Sequence, residues 1–169
     1  YPHNFKTIDL SINRFILALQ LIFWRTLIGK IKCYCGKCEI IVVANKALGS
    51  FLCGCQDCRQ AVKWAEFKGG QKGEDLQHTI YVPSDILRVK GKENMKPFLL
   101  REGGQSIRVY CVTCYSLLGV DFPVYNDQRF MFIGGHCVTD IDTSMDPAIA
   151  INMGDYQKDN EPILPDGIT

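Results

Sequence analysis

The sequence predicts an all-β domain, built mainly from antiparallel sheets, with an additional helix near the N-terminus. Short β-branched and apolar segments of strand length recur after Gly29, and turn-forming pairs such as Gly69-Gly70 and Asn126-Asp127 separate them. The predicted strands cover residues 39–44, 79–82, 86–89, 106–110, 117–122 and 130–133. A short helix is predicted at residues 57–67.

An apolar run at residues 15–24 precedes this domain and predicts a helix over residues 11–24, with Ser11 or Asn13 as its N-cap. The run is shorter than the roughly 20 residues of a membrane span, and it lacks the basic cluster and cleavage site of a signal peptide. We therefore expect no membrane span, and we divide the chain into an extension at residues 1–28 and a main domain at residues 29–169. Whether the extension mediates homodimerisation stays open.

Charge and cysteine content narrow the class of protein. Lys and Arg number 19 against 18 Asp and Glu, a net charge of +1, so we expect no nucleic-acid partner.

The cysteine count is nine, an odd number that fits a fully disulfide-bonded protein poorly. Eight of the nine lie in three tight groups: Cys33, Cys35 and Cys38; Cys53, Cys55 and Cys58; and Cys111 and Cys114. This spacing favours metal binding in a reducing compartment, the cytoplasm or the nucleus.

Zinc suits such groups because it accepts a tetrahedron of thiolates. Cys111 and Cys114 have the spacing of a zinc knuckle and supply half of a tetrahedron. Cys33 and Cys35 can supply the other half, which would join the first strand to a later hairpin. The spacing therefore predicts a structural zinc at these four residues, which we call the four-cysteine cluster.

A second zinc is predicted at Cys53, Cys55 and Cys58, which we call the three-cysteine cluster. Three protein ligands with an open fourth position are typical of a catalytic zinc, and such a position can capture a thiol. A fourth ligand from Cys38, Asp57 or a histidine stays open; His136 is a candidate, whereas Cys38 and Cys137 fit core thiols better. Gly54 is expected to let the backbone curl around the ion.

Two other interpretations of the cysteines remain at this point. The pairs could be redox-active, or a single zinc could be bound while the remaining cysteines are small buried core residues.

At these residues the sequence resembles the glutathione-dependent formaldehyde-activating enzyme family, which includes centromere protein V. The family pattern is matched in order by Cys33-Tyr34-Cys35-Gly36, by Cys53-Gly54-Cys55-Gln56-Asp57-Cys58-Arg59 and by Cys111-Val112-Thr113-Cys114, with a similar ending at Pro165-Asp166-Gly167. The resemblance implies an Mss4-like β-tent fold, one structural zinc and one catalytic zinc on the two clusters.

The resemblance also implies an activity, a carbon-sulfur lyase that forms S-hydroxymethylglutathione from glutathione and formaldehyde. Its partners would be a small-molecule thiol and an aldehyde. The alternative within the same family is a non-catalytic zinc-binding interaction module of the centromere protein V type. Fold analogy alone does not separate the two.

The sequence departs from the family at two places. Tyr115 follows the last cysteine, where many members have Gly, and the bulky pair Lys63-Trp64 follows the second cysteine motif, where small residues are usual. We expect Lys63 and Trp64 to reshape the pocket near the second zinc. Arg59 and Lys63 are candidates to meet a substrate carboxylate, and Asp57 and Glu66 are candidates for a general base by proximity alone.

Overall fold

The computed structural model describes residues 27–156 together with Leu164 and Ile168. In chain order the strands of this part are β1 (Gly29–Lys32), β2 (Glu39–Val42), β3 (Gly49–Cys53), β4 (Gln77–Pro83), β5 (Ile86–Lys90), β6 (Met95–Phe98), β7 (Ile107–Cys111), β8 (Leu117–Asp121), β9 (Arg129–Ile133), β10 (Val138–Thr139) and β11 (Ala150–Ile151). The α-helix of this part is α1 (Gln56–Phe67), and short 3-10 turns occupy Lys92–Asn94, Pro123–Tyr125 and Met153–Asp155.

The strands form two sheets. The small sheet has the order β10-β1-β2-β5, and the large sheet has the order β11-β3-β4-β9-β8-β7-β6. All strand pairs are antiparallel except β11 with β3. The predicted all-β, mainly antiparallel class is therefore confirmed.

The large sheet is buried on both faces at its centre. On β9, Phe130 and Phe132 pack in a core with residues of the small sheet such as Ile31, whereas Met131 and Ile133 pack on the opposite side. Alternate side chains of a strand point to opposite faces, so a strand covered on both sides needs the continuous apolar run seen here.

The second core lies between the large sheet and α1. Cys58, Ala61, Val62 and Ala65 are buried at helical spacing, and they pack with Leu117 and the β9 side chains. Cys55 is the N-cap of this helix, and its sulfur accepts a hydrogen bond from the Cys58 amide. The helix ends before Gly69, which has φ +94°. Because only Gly54 and Cys55 separate β3 from α1, the start of the helix lies beside the end of that strand.

Each predicted strand has a counterpart in the structure, and the helix predicted at residues 57–67 is α1. The helix predicted at residues 11–24 and the family-like ending at Pro165-Asp166-Gly167 lie outside the described residues. Within the described residues, the helix is neither long nor apolar enough to cross a membrane.

Candidate metal centres and the adjoining cavity

The four-cysteine cluster forms where two hairpin turns meet. Cys33 and Cys35 lie in the turn between β1 and β2, and Cys111 and Cys114 lie at the turn between β7 and β8. The Sγ atoms all lie within 4.8 Å of one another. The cluster therefore links the small sheet to the large sheet.

The two turns share a backbone pattern. The Cys33 amide donates to the Cys38 carbonyl at 3.1 Å, and the Cys111 amide donates to the Ser116 carbonyl at 3.0 Å. The residue after the second cysteine is left-handed in both turns, with φ +75° at Gly36 and φ +53° at Tyr115. This conformation favours glycine. It gives a physical reason for the glycine that many members of the family have after the last cysteine, where Tyr115 stands in this chain.

The donor set of the four-cysteine cluster fits zinc. A tetrahedral zinc with Zn–S bonds of about 2.3 Å places its sulfurs about 3.8 Å apart. The Cys35 Sγ lies 3.5 Å from the Cys33 Sγ and 3.7 Å from the Cys111 Sγ. The pKa shifts within the cluster have opposite signs. Although burial acts to raise it, hydrogen bonding to Ser116 lowers the pKa of Cys114 to about 6, whereas, against a hydrogen bond from the Lys37 backbone, burial and the neighbouring sulfurs raise the pKa of Cys35 to about 12. All nine cysteines are free thiols.

The three-cysteine cluster forms at the junction of β3 and α1. Cys53 ends β3, Cys55 caps the helix and Cys58 lies in its first turn, and their Sγ atoms are also within 4.8 Å of one another. Gly54 does not have a positive φ; a Cβ there would lie only 2.6 Å from the Tyr156 ring. The expected role of Gly54 is therefore wrong, because close packing against Tyr156 requires a glycine here.

The sulfurs of the three-cysteine cluster share protons. Hydrogen bonds from Cys55 and Cys58 lower the pKa of Cys53 to about 2, and the same arrangement raises the pKa of Cys55 to about 11 and raises that of Cys58 as well. The Asn152 side-chain amide also donates to the Cys53 Sγ at 3.4 Å. A divalent cation bound by the three sulfurs would take the place of thiol protons, as metal binding by cysteines does.

A cavity of about 740 Å³ opens beside the three-cysteine cluster. All three cysteines line it, so this cluster faces space that a small molecule can enter. The rest of the wall is mixed. Its apolar side chains are Leu100, Val120, Phe122, Met131 and Ile151, and its polar ones are Gln56, Asp57, Gln60, Thr79, Tyr81, Arg101, Ser106, Arg108, Tyr125, Asn152 and Asp155. None of the cysteines of the four-cysteine cluster lines this cavity.

The cations at this cavity are Arg101 and Arg108, which sequence reasoning missed. Arg108 lies on β7 and Arg101 in the loop before it, and both face Asp57 at the start of α1. No motif marks either residue, because β7 and α1 become neighbours only through the sheet. The sequence feature that could have indicated Arg108 is its position within a predicted strand, because a buried arginine is normally paired.

The cations and acids proposed from proximity lie elsewhere, with the exception of Asp57. Arg59 donates to the Asp155 carbonyl and stacks on the Tyr156 ring at 3.9 Å, and Lys63 is exposed. Glu66 is exposed and accepts a hydrogen bond from the Gly73 amide. None of these three lines the cavity.

The expected effect of Lys63 and Trp64 on the pocket is wrong for the described residues. Trp64 packs against Phe98, Tyr110 and Tyr115, with ring centroids 4.7, 4.9 and 5.9 Å away. The Tyr115 ring also stacks on Tyr110. The two departures from the family pattern, Trp64 and Tyr115, are thus packed against each other outside the cavity.

The remaining ligand candidates lie apart from the three-cysteine cluster. Cys38 is buried beside the first turn, where its Sγ donates to the Asn94 carbonyl, and the Cys137 Sγ donates to the Leu117 carbonyl. His78 and His136 line a separate cavity of about 600 Å³. His3 lies outside the described residues.

Comparisons with known proteins leave the family unassigned. No family model matches the chain, and no curated protein matches it. Among solved structures, a crystal structure of a Rhodobacter sphaeroides protein from a structural genomics programme is similar, with 23% identity and a TM-score of 0.40. The alignment covers 61% of this chain and 82% of that one.

Proposed function

We propose that this chain is a zinc-dependent enzyme of the glutathione-dependent formaldehyde-activating type, which joins a small thiol to an aldehyde. The β-tent assignment and the choice of glutathione and formaldehyde follow from the motif resemblance. The observation that carries the proposal is the contrast between the clusters: four sulfurs surround one site, whereas three sulfurs leave the other facing a cavity of about 740 Å³.

In this proposal Cys53, Cys55 and Cys58 hold the catalytic zinc, and Cys33, Cys35, Cys111 and Cys114 hold the structural one. A zinc at the three-cysteine cluster would supply a positive charge that favours the thiolate form of a bound thiol or polarises a carbonyl. Asn152 positions Cys53 through its hydrogen bond.

Tyr81 and Tyr125 are suited to handle the aldehyde oxygen. Both line the cavity, and burial raises the pKa of each hydroxyl, so both stay protonated at neutral pH. Because the two hydroxyls also hydrogen-bond to each other, the pair has one proton left to donate to the aldehyde oxygen. In the reaction the thiol sulfur bonds to the carbonyl carbon, the carbon-oxygen π bond breaks, and the oxygen takes up the proton that the thiol gave up. The product is a hemithioacetal, which for formaldehyde is the S-hydroxymethyl adduct of the thiol, and no other reactant is needed.

The test combines metal content with catalysis. Zinc per chain is measured in wild type, Cys55→Ser and Cys114→Ser, and adduct formation is followed by NMR exchange between free and hydroxymethylated glutathione. We expect two zinc ions per chain in wild type and about one in folded Cys55→Ser. Exchange should be faster than in buffer with wild type and no faster than in buffer with the variants. Exchange no faster than in buffer, from wild type that holds both ions, would refute the enzyme and favour the interaction module.

A further inference from the structure

Arg108 is a buried cation that leaves hydrogen-bond donors unused beside the three-cysteine cluster. The residue is 3% exposed and lines the cavity. Its Nη1 donates to the Ser106 carbonyl at 3.1 Å, and its Nε is buried without a hydrogen-bond partner among the residues that the structure describes. A guanidinium offers five N–H donors, and unpaired buried donors are costly, so this site is built to receive further acceptors.

The acids of the cavity do not supply those acceptors. Asp57 is shared: its Oδ1 pairs with Arg101, and its Oδ2 lies 3.9 Å from the Arg108 Nη2, too far for a hydrogen bond. The Asp155 carboxylate accepts a hydrogen bond from the Gln56 amide at 2.9 Å. One shared carboxylate thus faces two guanidinium groups, which leaves room for a second anion.

We propose that Arg108, assisted by Arg101, binds a carboxylate of the substrate and thereby selects thiols that carry one. The inference rests on the proposed function, because it assumes that the thiol is held at the three-cysteine cluster of the same cavity. A guanidinium matches the planar carboxylate with two parallel hydrogen bonds, which a neutral thiol cannot form. Arg108 is therefore a specificity residue, and Asp57 orients the arginine pair when the cavity holds no substrate.

The test uses zinc-loaded protein and the matched thiols 6-mercaptohexanoate and 6-mercaptohexanol, which differ only in the terminal group. Dissociation constants are measured by calorimetry for wild type, Arg108→Met and the control Arg88→Met, an exposed arginine on β5. In parallel, the Arg108 Nε–H resonance of wild type is followed by NMR during titration with each thiol and with propionate, which has no thiol.

We expect the acid to bind wild type and Arg88→Met about tenfold more tightly than the alcohol, from one charge-assisted hydrogen-bonding group. Arg108→Met should bind both equally, and the Nε–H resonance should shift with the acid and not with the alcohol. Equal binding of acid and alcohol by wild type, or an undiminished preference in Arg108→Met, overturns the proposal. The wild-type NMR titration decides the matter if Arg108→Met does not fold, since an unmoved resonance overturns it too.

The outcomes also separate this inference from the proposed function. If the alcohol binds only when zinc is present and the Nε–H resonance does not respond to the acid, the thiol site stands and the Arg108 role is wrong. If propionate shifts the resonance but the alcohol does not bind, the carboxylate subsite stands and the thiol chemistry is wrong.

Discussion

Removal of Cys111 and Cys114 from the four-cysteine cluster should greatly lower the free energy of unfolding of this domain. The double variant Cys111→Ser/Cys114→Ser leaves only Cys33 and Cys35, so the metal can no longer join the two hairpin turns. Cys35 and Cys111 are 76 residues apart in the chain, and a cross-link that closes a loop of this length contributes about 4–5 kcal/mol through the entropy of the unfolded chain. Typical domains have only about 5–15 kcal/mol in total.

Thermal and urea unfolding followed by circular dichroism measures this effect under reducing conditions. The expected loss lowers the melting temperature by roughly 10–15 °C. A chelator should destabilise wild type by at least as much, and it should have a much smaller effect on the double variant. Cys137→Ala is the matched control, because Cys137 is a buried cysteine outside both clusters, and this variant should keep its response to the chelator.

The reasoning would be refuted by a double variant that stays within about 1 kcal/mol of wild type. It would also be refuted if the chelator affected the double variant as strongly as it affects wild type. Either result would mean that a cross-link between the sheets is not what stabilises them.

Three further predictions concern single positions. Lys90, then Lys32, lowers the pKa of Glu39, so Glu39→Gln should cost about 1 kcal/mol at neutral pH, and this difference should shrink as the pH falls through the lowered pKa and the wild-type carboxyl is protonated too. Urea unfolding over the acid range would contradict this if the difference did not shrink. Tyr115→Ala should be less stable than Tyr115→Gly by about 1 kcal/mol, because both variants lose the ring but only glycine adopts the left-handed backbone without strain. Equal stability of the two variants in calorimetry would count against this strain. Gly54→Ala should cost about 1–3 kcal/mol and reduce zinc retention, because the added Cβ would crowd Tyr156. The control Gly154→Ala, whose Cβ meets nothing within 4 Å, should behave as wild type in unfolding and metal analysis, and normal zinc retention in Gly54→Ala would argue against the crowding.

The strands that were predicted correctly have strong local patterns. The run at β9 is apolar throughout, and β4 and β8 are rich in β-branched or leucine residues. The strands that were missed are weaker: β10 and β11 are two residues long, β6 contains Pro97, β1 is half lysine, and β3 has no β-branched residue and begins with Gly49-Ser50. Such segments become strands because a neighbouring strand supplies their hydrogen bonds, and that neighbour is distant in the chain.

The residues of the candidate site also fall into those that the sequence predicts and those that it does not. The grouping of Cys53, Cys55 and Cys58 was visible because their spacing alone brings three sulfurs close together, and the same holds for each half of the four-cysteine cluster. Cation candidates chosen by proximity in sequence, Arg59 and Lys63, do not reach the cavity. Arg108 does, because β7 lies in the sheet beside β8, whose Val120 side chain lines the same cavity.

By itself, then, the sequence determined the fold class and the groups of sulfurs that can share an ion, since both depend on side-chain periodicity and on spacings of a few residues. The tertiary structure decided that the two halves of the four-cysteine cluster meet between the sheets, that the three-cysteine cluster faces a cavity, and that Arg101 and Arg108 meet Asp57 of α1 at that cavity. The physical reason is that spacing along the chain constrains geometry only over a turn or two. Contacts between distant segments depend on which strands pair and which faces they bury.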